Sequence, residues 1–202
     1  MARQFLTRAL VVAAGRRVAE AEGVSGLTIR RVAAELHATP MAMYRHVRDK
    51  RELVLALLDD VAEGLPPLPG EGGTPQERIV AAFTAVDAYL ARHVWVVDIL
   101  REGELFSARA AELFPWTLDR FAELGLDDRQ ATQAYMTLWW FVLGHLAFLP
   151  SATPERREAR TGLMMKAVDD PERVGRAMRS FDHDAGFQQA LRLIVASLAT
   201  NR

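Results

Sequence analysis

Apolar positions recur at helical spacing along most of this chain, and nowhere do they alternate long enough to predict a strand. Ile29, Val32, Ala33 and Leu36 fall at i, i+3, i+4 and i+7, behind Thr28 as an N-cap. After a break at His37-Ala38, Thr39-Pro40 restarts a helix with a cap and a proline at its first position. Met43 and Val47 are the inward positions of that second short helix. Asp49 and Glu52 have capping-box spacing and open a further helix, with Leu53, Leu57 and Val61 on one side. Upstream, a helix over residues 7–22 turns Leu10, Ala13, Ala14, Val18 and Ala21 inward, and Gly23 stops it.

Past the fourth helix, three prolines and four glycines in the ten residues 64–73 forbid regular structure. Thr74-Pro75-Gln76-Glu77 then caps a helix presenting Ile79, Phe83, Val86 and Leu90. Further helices are predicted over 96–100, 108–124 and 128–149. Thr153-Pro154 and Asp170-Pro171 start two more, and a last one over 185–198 carries Phe187, Leu191, Ile194, Val195 and Leu198. Residues 134–149 are apolar nearly all round, so this helix needs cover on every side. A fully buried monomer core is one answer. The favoured one is a two-fold homodimer seam of Tyr135, Leu138, Val142 and Leu146 with Leu191, Ile194, Val195 and Leu198 of the last helix.

Two short helices across a tight turn, the second showing Met41, Tyr44, Arg45 and His46 outward, read as a helix-turn-helix that enters a DNA major groove. Charge supports this. The net charge of −1 hides an asymmetry: residues 1–51 hold ten Lys and Arg against four Asp and Glu, while the remaining 151 hold fifteen against twenty-two. The positive potential therefore coincides with the helix-turn-helix, where phosphates would be met.

The resemblance at this point is to the TetR family of repressors. It rests on Gly23, Leu27-Thr28, Arg30, Ala33, Leu36, Tyr44, His46-Val47, Lys50 and Leu53, and YRHVRDKREL is most similar to the tetracycline-repressor branch. One departure is His37 at a turn position usually filled by glycine, which costs strain if that backbone is left-handed. The resemblance implies an all-α fold: an N-terminal three-helix helix-turn-helix DNA-binding domain over 1–50, and a C-terminal helical bundle for effector binding and dimerisation over 51–202. By the family alignment Thr28, Tyr44 and Lys50 are expected at phosphates. Arg30 is expected at a guanine edge, Pro40 and Met41 at thymine methyls, and Arg45 and His46 at bases or phosphate. Arg31 and Thr39 complete the expected DNA-binding set.

The family takes small, often hydrophobic effectors into the C-terminal domain. The expected pocket draws on Phe83, Val86, Tyr89, Leu90, His93, Trp95, Phe106, Trp116, Phe121, Trp139, Trp140 and His145, with Asp87 as a further polar group. For any one of these side chains a plain core role is the commoner outcome. The related branch chelates a magnesium–tetracycline complex. Here Gly144 is followed by His145 and then by no carboxylate until Glu155, so that ligand set is not evident. Asp182-His183-Asp184 reads more simply as a helix start than as a metal site. No cofactor and no metal are expected.

Composition narrows the alternatives. Without cysteine there is no disulfide, thiolate catalysis or zinc–cysteine site. The arginine-bearing N-terminus lacks a signal peptide's apolar run, and residues 134–149 fall short of a bilayer span, so a soluble cytoplasmic protein with no membrane partner is expected. HExxH, GxSxG and a phosphate-cradling loop are all missing. Asp98, Glu102 and Glu104 alternate with Arg101 and read as a solvated face. The expected function is a ligand-responsive regulator, not an enzyme, that binds a double-stranded palindromic operator as a homodimer and releases it on binding a small hydrophobic or aromatic effector. The alternative is a small all-helical ligand-binding protein or enzyme without DNA function.

Overall fold

The computed structural model describes residues 6–103, 105–149, 153–181 and 183–200, without the side chains of residues 102, 109, 183, 184, 199 and 200. Every regular element among them is helical. In order these are α1 (Arg8–Gly26), α2 (Ile29–Glu35), α3 (Pro40–Met43), α4 (Lys50–Glu63), α5 (Pro75–Leu90), α6 (Trp95–Glu102), a 3-10 turn (Ala108–Ala110), α7 (Leu113–Glu123), α8 (Asp128–Phe148), α9 (Pro154–Lys166), α10 (Pro171–Ser180) and α11 (His183–Thr200). Among the described residues no single helix is long and apolar enough to cross a membrane.

The chain forms two compact units. The first joins Met1–Pro66 to Arg92–Glu112, and the second joins Pro67–Ala91 to Leu113–Arg202. Residues 92–112 and α4 thus pack with the helix-turn-helix, whereas the division expected from the sequence was drawn after residue 50.

In the first unit, four caps set the helix starts. The side chains of Thr7, Thr28, Thr39 and Asp49 accept hydrogen bonds from the backbone N–H of Leu10, Arg31, Ala42 and Glu52. The inward face of α1 is Val11, Val12, Ala14, Gly15, Val18 and Ala19. Ala13 and Ala21, expected inside, are exposed. Gly15 is the reason: a Cβ there would lie 3.3 Å from Leu53 Cδ1 and 3.5 Å from both Leu57 methyls, so α4 packs directly on the α1 backbone. Ile29, Val32, Ala33, Met43 and Val47 close this core. Gly23 breaks the α1 path at φ 71°, and His37 sits at φ 51°, the left-handed backbone its position in the turn requires.

The capping box expected at Asp49 and Glu52 is only half made. Asp49 accepts from Glu52 N, but the Glu52 carboxylate turns back to the N–H of Arg48 at 2.8 Å. At α5 both halves form: Thr74 N donates to Glu77 and Glu77 N donates to Thr74 Oγ1. Asp127 and Gln130 form a second complete box at the start of α8.

The single helix expected over 108–124 is two pieces. A 3-10 turn ends at Ala110, and α7 starts at Leu113. Pro115 explains the break, because proline fits the first turn of a helix and not its interior. In the second unit, Ile79, Phe83, Val86 and Leu90 of α5 are buried as expected, together with Phe121 of α7. Ala134, Tyr135, Leu138, Val142 and Leu146 of α8 and Leu191 and Val195 of α11 fill the rest of that core.

Candidate functional site

The first unit presents the residues expected to meet DNA at the start of α2, along α3 and at the start of α4. Thr28 and Arg30 are exposed at the N-terminus of α2. Thr39 and Pro40 are exposed at the head of α3, followed by Met41, 74% exposed, and by exposed Tyr44 and Arg45. The α-helix proper is short. Beyond Met43 it continues as a turn, with His46 N and Val47 N both donating to Met43 O. This turn buries Val47 and leaves His46 half-buried.

Two cations of the expected set already have protein partners. Arg31 donates to Glu22 at 2.7 Å and to Glu35 at 3.1 Å, and Arg17 donates to the other oxygen of Glu35 at 3.2 Å. Those guanidinium hydrogen bonds, Arg17's first, hold the Glu35 carboxyl below its usual range. Lys50 Nζ donates to Val24 O at 3.3 Å, which ties the start of α4 to the end of α1.

Behind this surface lies a polar knot that the sequence did not suggest. Arg16 of α1 donates to Glu20 at 2.9 Å and to Asp60 of α4 at 3.2 Å. Its third contact is His93 Nε2, 3.5 Å away. An arginine only donates, so Nε2 is the acceptor and the imidazole proton sits on Nδ1, which faces Glu20 Oε1 at 3.8 Å. Burial and then the Arg16 charge push the His93 pKa down. Asp59, one residue before Asp60, accepts from the buried Ser107 hydroxyl at 2.7 Å. His93 therefore belongs to this knot, and Trp95 and Phe106 lie in the same first unit, with Trp95 buried and Phe106 exposed.

The remaining pocket candidates lie in the second unit. Phe83 of α5 meets Tyr135 and Trp139 of α8 edge-on, at ring separations of 6.2 and 6.3 Å. Phe114 meets Tyr135 at 4.8 Å. Tyr135, expected on a dimer seam, is thus an inward member of an aromatic cluster. Burial raises its pKa, against a hydrogen bond from the Trp139 indole. Asp87, buried on α5, bonds His145 Nδ1 at 2.8 Å, and the His145 ring stacks on Phe187 of α11 at 4.4 Å. Thr84, next to Phe83, keeps a buried hydroxyl with no partner among the described residues. That polar group was not singled out from the sequence, since a threonine inside an apolar helix carries no distinguishing pattern. Tyr89 is half-buried on α5.

Trp116 and Trp140 stand apart from this cluster. Trp116 lines an open cleft of about 510 Å³ with the 69–73 loop, Arg78, Arg120 and Glu123. Burial pushes the Glu123 carboxyl up, and the hydrogen bonds from Arg120 and Arg78 outweigh it and hold it low. Trp140 is 64% exposed on α8. Of the expected seam, Leu138, Val142, Leu146, Leu191 and Val195 are fully enclosed within the protomer, and Ile194 and Leu198 are half-buried. The apolar side chains these helices show outward are Met136, Trp140 and Phe148 of α8 and Leu193 of α11.

Among the described residues no group of His, Asp and Glu could hold a metal ion. Asp182 and the side chains of His183 and Asp184 lie outside the described residues, as does Glu104.

A helix-turn-helix with an exposed reading segment, joined to a helical domain with an aromatic interior, defines a one-component transcriptional regulator. Family models agree in both halves. Residues 11–57 match the bacterial regulatory proteins of the tetR family, and residues 66–202 match the tetracyclin repressor-like C-terminal domain. The chain belongs to the TetR family and is a transcriptional regulator, not an enzyme. It is 32% identical over 160 residues to the HTH-type transcriptional repressor DrrR1 of Streptomyces coeruleorubidus, covering 78% of this chain and 58% of that one. It is 26% identical to the class C tetracycline repressor protein of Escherichia coli, over 98% of this chain and 92% of that one. The fold matches the ActR protein of Streptomyces coelicolor in complex with actinorhodin, with a TM-score of 0.79 at 22% identity over 98% and 96% of the two chains.

Proposed function

We propose that this chain is a repressor that binds a palindromic double-stranded operator as a homodimer and loses operator affinity when a small aromatic effector enters the helical domain. The reading head is residues 1–50, and residues 51–202 serve effector binding and dimerisation. The observation that carries the proposal is the exposure of Met41, Tyr44 and Arg45 on a segment whose other side, Met43 and Val47, is core. An apolar side chain 74% in water at the tip of a basic helix-turn-helix suits a thymine methyl in the major groove.

In this reading Arg30 reads a guanine edge. Thr28, Thr39, Tyr44 and Lys50 hold phosphates, and Pro40, Met41, Arg45 and His46 line the groove. Arg31, fixed by Glu22 and Glu35, supports the start of α2 more than it contacts DNA. The effector lies among Phe83, Phe114, Tyr135 and Trp139, with Thr84, Asp87 and His145 as its polar contacts. The ring cluster and the unpartnered Thr84 hydroxyl support this. The likeness to ActR, solved with actinorhodin, and to DrrR1, named a repressor, points the same way. The second copy covers Met136, Trp140, Phe148 and Leu193, because a two-fold operator pairs with a two-fold protein. As a DNA-binding regulator it works in the cytoplasm.

The test is selection of bound duplexes from a random pool, followed by salt titration of the selected duplex and a ligand screen read by tryptophan fluorescence. The expected results are a palindromic consensus, a steep fall of affinity with salt, and ligands that quench fluorescence and lower operator affinity. A protein that selects no sequence sinks the reading.

A further inference from the structure

At the junction between the reading turn and α4, one carboxylate holds two guanidiniums. Glu52 Oε2 accepts from Arg48 Nε at 2.9 Å and from the Arg48 backbone N–H at 2.8 Å. Its other oxygen, Oε1, faces Arg8 Nη2 at 3.6 Å across from α1. Arg48 is nevertheless 88% exposed in its side chain, and Arg8 54%. None of these three residues stands in the DNA-binding set expected from the sequence. Arg45 and Lys50, three residues before Arg48 and two after it, are exposed as well, so cationic groups continue along the chain past the reading turn.

Glu52 uses one of the five N–H donors of Arg48, and the two terminal nitrogens of the fork remain open. A free arginine loses rotamer freedom when pinned to a phosphate. Here the backbone and the side chain of Arg48 are gripped by the same carboxylate oxygen, so much of that loss is already taken in the free protein. Asp49, beside Arg48, adds a second carboxylate, and exposed Arg45, Lys50 and Arg51 keep the strip cationic. An exposed, pre-set fork next to a DNA-reading segment suits bidentate capture of a phosphate.

We propose that Arg48 contacts a DNA backbone phosphate beside the bases read by α3, and that Glu52 is the positioning residue that sets Arg48, with Arg8 beside it. This rests on the DNA-binding reading. Its chemistry is sequence-independent: it adds affinity to every duplex and register to the right one.

The experiment is fluorescence anisotropy of the protein on the selected duplex and on a random duplex, across a salt series. Arg48→Ala is expected to weaken both, the selected duplex by the larger factor, and to lower the salt slope by about 0.9 per protomer. Arg48→Lys is expected to restore the slope but only part of the affinity, since an ammonium is a point charge without the fork. Glu52→Gln removes the negative charge and weakens the grip, since its amide keeps only a neutral acceptor. It is expected to bind random duplex more tightly while the ratio of selected to random affinity falls. An unchanged slope in Arg48→Ala overturns the phosphate contact. A Glu52→Gln variant that gains equally on both duplexes overturns the positioning role. If the wild type itself shows no salt-dependent binding to either duplex, the DNA-binding reading fails first, which separates the two failures.

Discussion

Truncation of Trp140 separates what holds a protomer together from what joins two. The ring is 64% exposed, whereas Leu138, two residues earlier on α8, is fully buried. A tryptophan buries roughly 150–250 Å² when enclosed, so about two-thirds of that remains for a partner copy to cover. At about 25 cal/mol per Å², Trp140→Ala forfeits about 2.5–4 kcal/mol per protomer as an upper bound. Side-chain ordering on association takes back about 0.5–1.5 kcal/mol, leaving about 2 kcal/mol per protomer and about 4 kcal/mol for the symmetric pair. That is roughly a thousandfold rise in the dimer dissociation constant. Sedimentation velocity across a dilution series reads it, with far-UV circular dichroism showing that the protomer stays folded. Leu138→Ala is expected to do the reverse. It opens a cavity costing about 2–5 kcal/mol of fold stability and lowers the melting temperature. If Trp140→Ala dissociates at the same concentration as the wild type, α8 does not meet a second copy through this ring, and the proposed seam is wrong.

Three further outcomes are expected. Tyr44→Ala weakens binding to all duplexes alike, while Arg30→Ala costs about 1–3 kcal/mol and also changes the selected base at one position. Gel shifts at fixed salt that show Arg30→Ala keeping the wild-type consensus refute base reading there. Burial and Arg16 depress the His93 pKa, so the unfolded chain takes up this proton more readily than the folded one, and stability falls as pH drops below about 6.5. Thermal melts of His93→Gln between pH 8 and 5 should show a flatter profile than the wild type, and an equally steep one removes His93 as the cause. Asp87→Asn, which replaces the carboxylate bonded to His145 by a neutral amide of the same shape, should leave operator affinity intact and abolish the ligand response. A full response would place the effector elsewhere.

How much of this was legible depends on the kind of signal. Caps were readable because they are local: Thr28, Thr39, Asp49 and Thr74 each bond the backbone N–H three residues on, as their spacing implies. The inward stripe of α5 was readable for a similar reason, since a 3.6-residue period has one solution when its polar side is wet. The α1 face was not, because alanines at 13, 14, 19 and 21 look alike in sequence and the glycine between them decides which side meets α4. α8 failed as a pattern for the opposite reason. It is apolar on all sides, so periodicity cannot tell the face that packs on α5 and α11 from the face left outside. The seam was accordingly assigned to Tyr135, Leu138, Val142 and Leu146, which the protomer itself encloses. The polar knot was invisible because Arg16, Asp60 and His93 are far apart in sequence and individually ordinary.

That knot bears on how an effector signal reaches DNA. α4 is 14 residues long, about 21 Å at 1.5 Å per residue. Its first residue, Lys50, sits beside the reading turn, and its last turns carry Asp59, bonded to Ser107, and Asp60, bonded to Arg16. Residues 92–112 supply both Ser107 and His93 to the same unit, although they are separated from it in the chain by a 25-residue excursion, 67–91, into the other unit. Any shift of residues 92–112 therefore acts on the far end of a rigid rod. A tilt of roughly 5° over that length moves the reading end by about 2 Å. Base-edge hydrogen bonds hold only over a few tenths of an ångström around 2.9 Å, so such a tilt suffices to lose them. On the reading proposed above, the effector need only favour the tilted state over the straight one. Its differential affinity for the two, and not its total affinity, sets the degree of induction. Loosening the knot with Arg16→Met should then weaken operator binding without any ligand while leaving effector affinity for the helical domain unchanged or raised. Tight repression that survives Arg16→Met would mean that α4 is aligned by its apolar contacts with α1 alone, and that the signal takes another route.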